Sequence, residues 1–298
     1  MTTQNKKLVT HNGSFHADDV FATATLGLYL EKKGEVFEVI RTRDEELINN
    51  ADYVFDVGGI YDEEKKRFDH HQIGGAGKRN NGIEYSSFGL IWKKFGIDIC
   101  ENKKVVDAVD KKLVAPIDAG DNGMNLVENK NEVSPYLLQY FCSAMHPTWR
   151  EEDLNKDEMF LKSVEIAKII LSREIIQSKD AIMVEDKVID IYNNSQDKRI
   201  IILDKNYPYG EILSNFSEPL FVIYPREDGF YTVKAIRNDM NSFKNRKDLP
   251  SSWAGLRDEE LQKITGVEDV VFCHRGLFIT VAKTKEGAIE LAKKALAS

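Results

Sequence analysis

The sequence predicts an α/β protein of two domains, and three observations carry that expectation. The first third alternates short apolar runs with helical patterns, the middle holds one long amphipathic pattern, and the final third mixes strands with helices. Alternation of strand and helix implies a parallel sheet with crossover helices. At 298 residues the chain is long for one core and comfortable for two. The expected division is a first domain over 1–150, a helical connector over 151–192 and a smaller α+β domain over 193–298.

Each element has its own signal. "KKLVT" is an apolar strand. "ADDVFATATLGLYLEKKG" is a helix, with acids in its first turn, lysines in its last and Gly34 to end it. "EVFEVIRT", "DEELINN" and "ADYVFDVGG" continue as strand, short helix and strand. "SSFGLIWKKFG" and "ENKKVVDAVDKKLVAPID" read as helices up to a break at "DAGDNG". Pro, charge and lost periodicity mark a boundary near 143–156, and the long helical pattern follows. A helix of that length suits a connector better than a core element. Beyond it come the strands "RIIILDK", "PLFVIYP", "FYTVKAIR", "DVVFCHRG" and "LFITVAK", with helices at "LRDEELQKITG" and "KEGAIELAKKALA".

Composition narrows the function classes. The longest apolar runs are strand-sized, too short to cross a bilayer. A polar N-terminus that leads into a strand predicts no signal peptide. Three scattered cysteines (Cys100, Cys142, Cys273) form neither a disulfide framework nor a zinc knuckle, so a cytoplasmic location is expected. The net charge is −8, yet residues 231–257 hold six cations (Lys234, Arg237, Lys244, Arg246, Lys247, Arg257) against two acids. An acidic chain disfavours long duplex nucleic acid. A local basic strip still suits a small or single-stranded phosphate ligand.

Histidine and aspartate gather in four places in the first domain, each at the end of a predicted element. They are "THNGSFHADD" (His11, His16, Asp18, Asp19), "VFDVGG" (Asp56), "FDHH" (Asp69, His70, His71) and "IDAGDNG" (Asp118, Asp121). Taken singly, Asp18 and Asp19 fit helix N-terminal acids, Asp56 a turn acid, and Asp118 or Asp121 a helix-terminal acid. Ligands of open parallel sheets bind beyond the carboxyl ends of the strands. Imidazole and carboxylate converging there from four loops point to a metal site.

These clusters, in this order, resemble the DHH superfamily of phosphoesterases. More narrowly, "THNGSFHADD", "IRTRD", "DVGG", "FDHHQ", "DNG", "HPTW" and "WAGLRDEEL" resemble the Myg-type (melanocyte proliferating gene) family, over almost the whole chain. The resemblance implies a DHH-type first domain that binds metal. His11, His16, Asp18, Asp56, His70 and an Asp of the pair Asp118 and Asp121 would be ligands. At i, i+3 both members of that pair could face the site, and the turn at "NG" favours Asp121. Asp69 would orient an imidazole and His71 would face the substrate phosphate. The superfamily's first motif has His followed by Asp four and six residues on. Here those places are Phe15 and Ala17, with His16 and Asp18 one position later. An extra loop residue, with His16 replacing one Asp, is the simplest fit. Trading carboxylate for imidazole favours Mn²⁺ over Mg²⁺, with other transition ions as alternatives.

The expected chemistry is phosphodiester hydrolysis by water activated between two divalent ions, with Asp56 shared by both. The second domain would grip the substrate through Arg237, Arg257, His274 and Arg275, with Trp253 either stacking on a base or serving the core. The family resemblance implies a 3′–5′ exonuclease on single-stranded RNA or short oligonucleotides. The alternatives are a phosphodiesterase for cyclic dinucleotides or small phosphoesters, and a non-catalytic nucleotide-binding protein. No membrane partner is expected, and homo-oligomerisation stays open.

Overall fold

A computed structural model describes residues 5–129, 131–239 and 242–298, and it is a mixed α/β structure with two five-stranded sheets. The chain divides into two compact units, Met1–Lys179 and Asp180–Ser298. Among the described residues no helix is long and apolar enough to cross a membrane.

In the first unit β1 (Lys6–Thr10) leads to α1 (Ala17–Lys32), then β2 (Phe37–Arg41), α2 (Glu45–Asn49) and β3 (Tyr53–Phe55). Two short strands, β4 (Tyr61–Asp62) and β5 (Arg67–Phe68), complete a sheet of order β2-β1-β3-β5-β4. All its pairings are parallel except β4 with β5. That antiparallel edge is absent from the sequence reading, because two-residue strands are too short for any periodicity. β1 lies between β2 and β3, so the strand order reverses there and a crevice opens beyond its carboxyl end.

Helices α3 (Ser87–Cys100), α4 (Lys103–Val109) and α5 (Ala115–Asp121) follow, the last two joined by a π-helical turn over Asp110–Val114. α1 packs against α3, burying Phe21 against Phe88. α6 (Leu138–Ala144), also not predicted, precedes α7 (Lys156–Asn193). Asn155 starts α7 by accepting from Asp157 N at 2.8 Å. The division between the two units falls inside α7, between Lys179 and Asp180.

The second unit is built on β6 (Ile200–Ile202), β7 (Phe221–Pro225), β8 (Tyr231–Ala235), β9 (Val270–Cys273) and β10 (Ile279–Ala282), in the order β6-β7-β8-β10-β9. Only β6 and β7 run parallel. α8 (Gly210–Ser214), α9 (Asp258–Thr265) and α10 (Lys285–Ala297) complete it. Its core joins Phe221, Val233, Leu261 and Leu291, and it includes Trp253 at 3% exposure. Trp253 therefore serves packing, which corrects the base-stacking expectation: no ring face is open to a ligand.

Candidate metal centre

The strand ends supply the first donors. β1 runs out at Thr10 and puts His11 beside the N-terminus of α1, while β3 runs out at Phe55 and puts Asp56 opposite it. His11 Nε2 lies 3.1 Å from Asp56 Oδ2 and 3.3 Å from Asp19 Oδ2. Its Nδ1 accepts from Gly13 N at 3.1 Å, so the imidazole proton sits on Nε2, between the two acids. Asp56 adopts a left-handed φ of 54°, rare for a side chain with a Cβ. Its second oxygen, Oδ1, lies 3.5 Å from His70 Nε2. The same oxygen is 3.5 Å from His71 Nδ1, so one carboxylate stands between His11 on one side and the His70 and His71 pair on the other.

Around Asp56 the donors fall into overlapping groups. His11, His16, Asp19 and Asp56 form one, Asp18, His70 and Asp121 a second, and Asp56, His70 and His71 a third, each with ligand atoms within 4.8 Å of one another. His70 Nε2 is 3.2 Å from Asp121 Oδ2 and 3.9 Å from Asp18 Oδ2. Two of these atoms, His70 Nε2 and Asp19 Oδ2, are buried with no hydrogen-bond partner of acceptable geometry. Buried polar atoms are rarely left so, and an ion is one ordinary explanation. The mixed nitrogen and oxygen donor set suits a divalent cation.

The ionisation pattern agrees. Burial works to raise Asp56, but the His11 and His70 imidazoles beside it pull its carboxyl down to about 2. Burial, then the nearby Asp56, pushes Asp18 up to about 6, and burial with Asp18 pushes Asp121 up to about 8. Asp19 is pushed well above the usual carboxylate range, first by burial and then by Asp56. Burial lowers His70, yet Asp56, Asp18 and Asp121 outweigh it and raise the ring to about 9. Without an added cation the cluster holds protons where so many carboxylates call for positive charge. His16 shifts the other way, because burial disfavours its charged form.

The neighbours of this group explain its orientation. Asp69 Oδ2 accepts from Gly59 N at 2.6 Å, and its Oδ1 accepts from His71 N at 3.1 Å and meets His71 Nδ1 at 2.7 Å. Asp69 therefore makes the turn that sets the two rings side by side, their centroids 4.2 Å apart. Gly74, Gly75 and Gly77, all with positive φ, lie further along the chain. His71 is the exposed member, its side chain 62% accessible, and its Nε2 remains unengaged by Asp69. Asp69 and His71 both line a cavity of about 1040 Å³ with His11, His16, Asp56 and Asp121.

Asp118 has a different place. Its Oδ1 accepts from Ser86 Oγ at 2.6 Å and from Gly89 N at 3.0 Å, and its Oδ2 pairs with Arg79 Nη1 at 2.6 Å. Gly89 is required there, because a Cβ would lie 1.9 Å from Asp118 Oδ2. With both oxygens committed, Asp118 stands outside all three donor groups, which corrects the expectation that it might join Asp121 as a ligand. Ser86 Oγ also contacts Asp18 Oδ1, and it has one proton for two carboxylates. The second contact calls for a carboxyl proton, in keeping with the upward shifts of Asp18 and Asp118. Asp19, read from sequence as part of the first cluster but not as a ligand, both starts a helix and belongs to a donor group. Its Oδ1 accepts from His16 N at 2.7 Å at the start of α1, and its Oδ2 faces His11.

The candidate substrate contacts lie in the second unit. β10 is antiparallel to both β8 and β9, so the residues after β8 and β9 and those before β10 share one end of that sheet. Arg237 lies over Phe243, 4.6 Å from the ring centre, and Phe243 is 88% exposed. Arg257 lies 4.7 Å over Phe272. His274 accepts from Gly276 N at 2.9 Å and tilts against Phe278, and Arg275 is exposed.

Comparison with known proteins adds four findings. The chain matches the family model MYG1_exonuc, described as Uncharacterised protein family (UPF0160), over residues 7–296. It is 30% identical to the MYG1 exonuclease of Homo sapiens over 98% of this chain and 86% of that protein. It is 32% identical to the MYG1 protein of Dictyostelium discoideum, over 97% and 96% respectively. Among solved structures it is similar to RecJ from Thermus thermophilus in complex with Mn²⁺. That match has 12% identity and a TM-score of 0.29, over 99% of this chain and 53% of that one.

Proposed function

This chain belongs to the MYG1 exonuclease family, and from that premise we propose that it is a metal-dependent 3′–5′ exonuclease acting on single-stranded RNA or short oligonucleotides. The observation that carries the reading is Asp56, whose two oxygens face two different imidazoles, each within its own group of acids. Two divalent ions, when bound, would supply Lewis acidity toward a phosphoryl group and acidify water. His11, His16, Asp19 and Asp56 would hold one ion, and Asp18, Asp56, His70 and Asp121 the other. The imidazole content favours Mn²⁺ as the native ion.

The remaining groups act on the substrate. Asp69 holds Nδ1 of His71, so only Nε2 is left to meet a phosphoryl oxygen. In its protonated form that nitrogen donates to the phosphoryl oxygen on which charge builds, and the Asp69 carboxylate stabilises the imidazolium. Arg237, Arg257 and Arg275, with His274, are the residues of the second unit proposed to take up substrate phosphates. Three free, buried thiols (Cys100, Cys142, Cys273) support a reducing, cytoplasmic setting for this chemistry.

The deciding experiment incubates the protein with end-labelled single-stranded RNA, the matching DNA and a cyclic dinucleotide, with Mn²⁺, Mg²⁺ or chelator. Stepwise shortening of RNA from its 3′ end with Mn²⁺ is expected. Hydrolysis of the cyclic dinucleotide alone would move the protein to the small-substrate class, and binding without turnover under any ion would remove it from the enzymes.

A further inference from the structure

Of the two arginines in "IRTRD", one is committed and one is spare. The Arg41 side chain is 2% exposed, donates to Gly13 O at 2.6 Å and pairs with Asp157 at 2.6 Å, so it fastens the loop that carries His11 and His16. Arg43 is exposed and lines the metal cavity, where it is the one lysine or arginine among the described lining residues. Among the described residues it makes no hydrogen bond or ion pair, although Asp44, Glu45 and Glu46 follow it directly.

Its backbone is nevertheless held on both sides. Thr42 N donates to Thr10 O at 2.8 Å, Thr42 Oγ1 accepts from Asp44 N at 3.0 Å, and Asp44 caps α2 through Leu47 N. The chain thus spends its local contacts on the neighbours of Arg43 and leaves the guanidinium open. The charge around it makes that informative. Asp18, Asp56, Asp69 and Asp121 line the same cavity, so two divalent ions would be largely offset by protein carboxylates. An incoming phosphodiester strand then meets one remaining positive side chain on this wall.

Gly13 places the guanidinium near the loop that carries His11. A Cβ at that glycine would lie 3.2 Å from His11 Nδ1 and 3.8 Å from Arg43 Nη2, while His11 Nε2 faces Asp19 and Asp56.

We propose that Arg43 binds the phosphate next to the one being cleaved, which makes the cavity selective for substrates with at least two internucleotide phosphates. The planar guanidinium suits two oxygens of one phosphate. This inference rests on the phosphodiesterase reading of the metal centre, and its test keeps the two apart.

Steady-state hydrolysis of a trinucleotide and a dinucleotide, both without terminal phosphates, is compared in wild type, Arg43→Ala and Arg43→Lys with Mn²⁺. The expected result is that Arg43→Ala lowers kcat/KM on the trinucleotide about tenfold more than on the dinucleotide, the usual scale for losing one charged hydrogen-bonding contact. Bound metal stays at the wild-type level, and Arg43→Lys recovers part of the selectivity. Equal losses on the two substrates, or loss of metal, overturn the proposal. If wild type hydrolyses neither substrate, the phosphodiesterase reading fails, and the arginine is judged by fluorescence anisotropy of labelled trinucleotide and dinucleotide. A wild-type preference for the trinucleotide that Arg43→Ala abolishes sustains the anion site, and no preference or an unchanged one overturns it.

Discussion

Beyond the carboxyl ends of β1 and β3 the protein collects buried acids and imidazoles, whereas at the shared end of β8, β9 and β10 it exposes arginines beside aromatic rings. The first region is over-determined. Asp56 is held at a left-handed φ, Asp19 is tied to the start of α1, Asp18 accepts from Ser87 N and Phe88 N, and Asp69 is fixed by Gly59 N. The second region is loosely held: Arg237 and Arg257 rest on ring faces, contacts worth about 0.5–1 kcal/mol at exposed sites. Short side chains on fixed backbone can define the geometry of an ion, while long solvated cations follow a flexible polyanion. Substitutions should therefore be severe in the first region and graded in the second.

The largest effect is expected at Asp56. Asp56→Ala removes the carboxylate that contacts both His11 and His70, and activity should fall by more than the ~10²–10³ typical of losing a single transition-state donor. Metal content by mass spectrometry should drop with it while the far-ultraviolet circular dichroism is retained. Near-normal turnover in saturating Mn²⁺ would show that no ion depends on this side chain.

Next come the paired histidines, which test whether the first region is one cluster or two functions. His70 Nε2 is buried among Asp18, Asp56 and Asp121, so His70→Ala should weaken metal affinity, by about 10–100-fold or more, and excess Mn²⁺ should restore part of the activity. His71 is exposed and held by Asp69, so His71→Ala should cost ~10²–10³ in rate with the metal still bound, and added Mn²⁺ should not help. The measurement is metal content and turnover across a Mn²⁺ titration. Identical behaviour of the two variants removes the distinction.

How far the sequence carries this picture depends on the range of the interactions. The strand and helix rhythm of residues 6–55 follows from local periodicity, and it is found in β1, α1, β2, α2 and β3. β4 and β5 are too short for periodicity to register, and α6 and α8 begin after Leu137 and Tyr209, without the side-chain cap that Asp44 gives α2. At the candidate site the resemblance brought His11, His16, Asp18, Asp56 and the FDHH stretch to one place, and the structure has them together. Asp19 is not legible as a donor because a helix N-terminal acid and a ligand look alike in sequence, and here the one carboxylate starts α1 and also faces His11. Asp118 and Asp121 sit three apart on α5, so spacing could not separate them. What separates them is Arg79, thirty-nine residues before Asp118, a tertiary partner with no local signal. Trp253 was undecidable for the same reason: its neighbours come from other segments of the fold.

That pair offers a third test, smaller than the histidines. Asp121→Asn should reduce metal affinity by about 10–100-fold with little change in melting temperature. Asp118→Asn disturbs buried hydrogen bonds to Ser86, Gly89 and Arg79, so it should cost about 1–3 kcal/mol of stability. Metal affinity should be nearly retained in that variant. Metal titration alongside chemical denaturation reads both quantities, and reversed outcomes would mean that α5 presents its other acid to the ion.

The smallest effects are expected at the end of the second sheet. Arg257 is exposed over Phe272, and His274 is half-buried against Phe278. If they take up substrate phosphates, Arg257→Ala and His274→Ala should raise KM more than they lower kcat, with changes of about fivefold or less, as expected for solvated charge contacts. Salt gives the sharper readout. Each phosphate neutralised on a single strand contributes about −0.7 to the slope of log affinity against log salt, so losing Arg257 should flatten that slope by roughly this amount. A neutral substitution that merely loosens packing would lower stability and leave the slope alone. Measuring kcat/KM on a short single-stranded RNA between low and moderate salt, with bound metal assayed in parallel, separates the two. If either variant lost its metal, or kept the wild-type salt slope, the contrast between a fixed chemical region and a graded binding region would have to be redrawn.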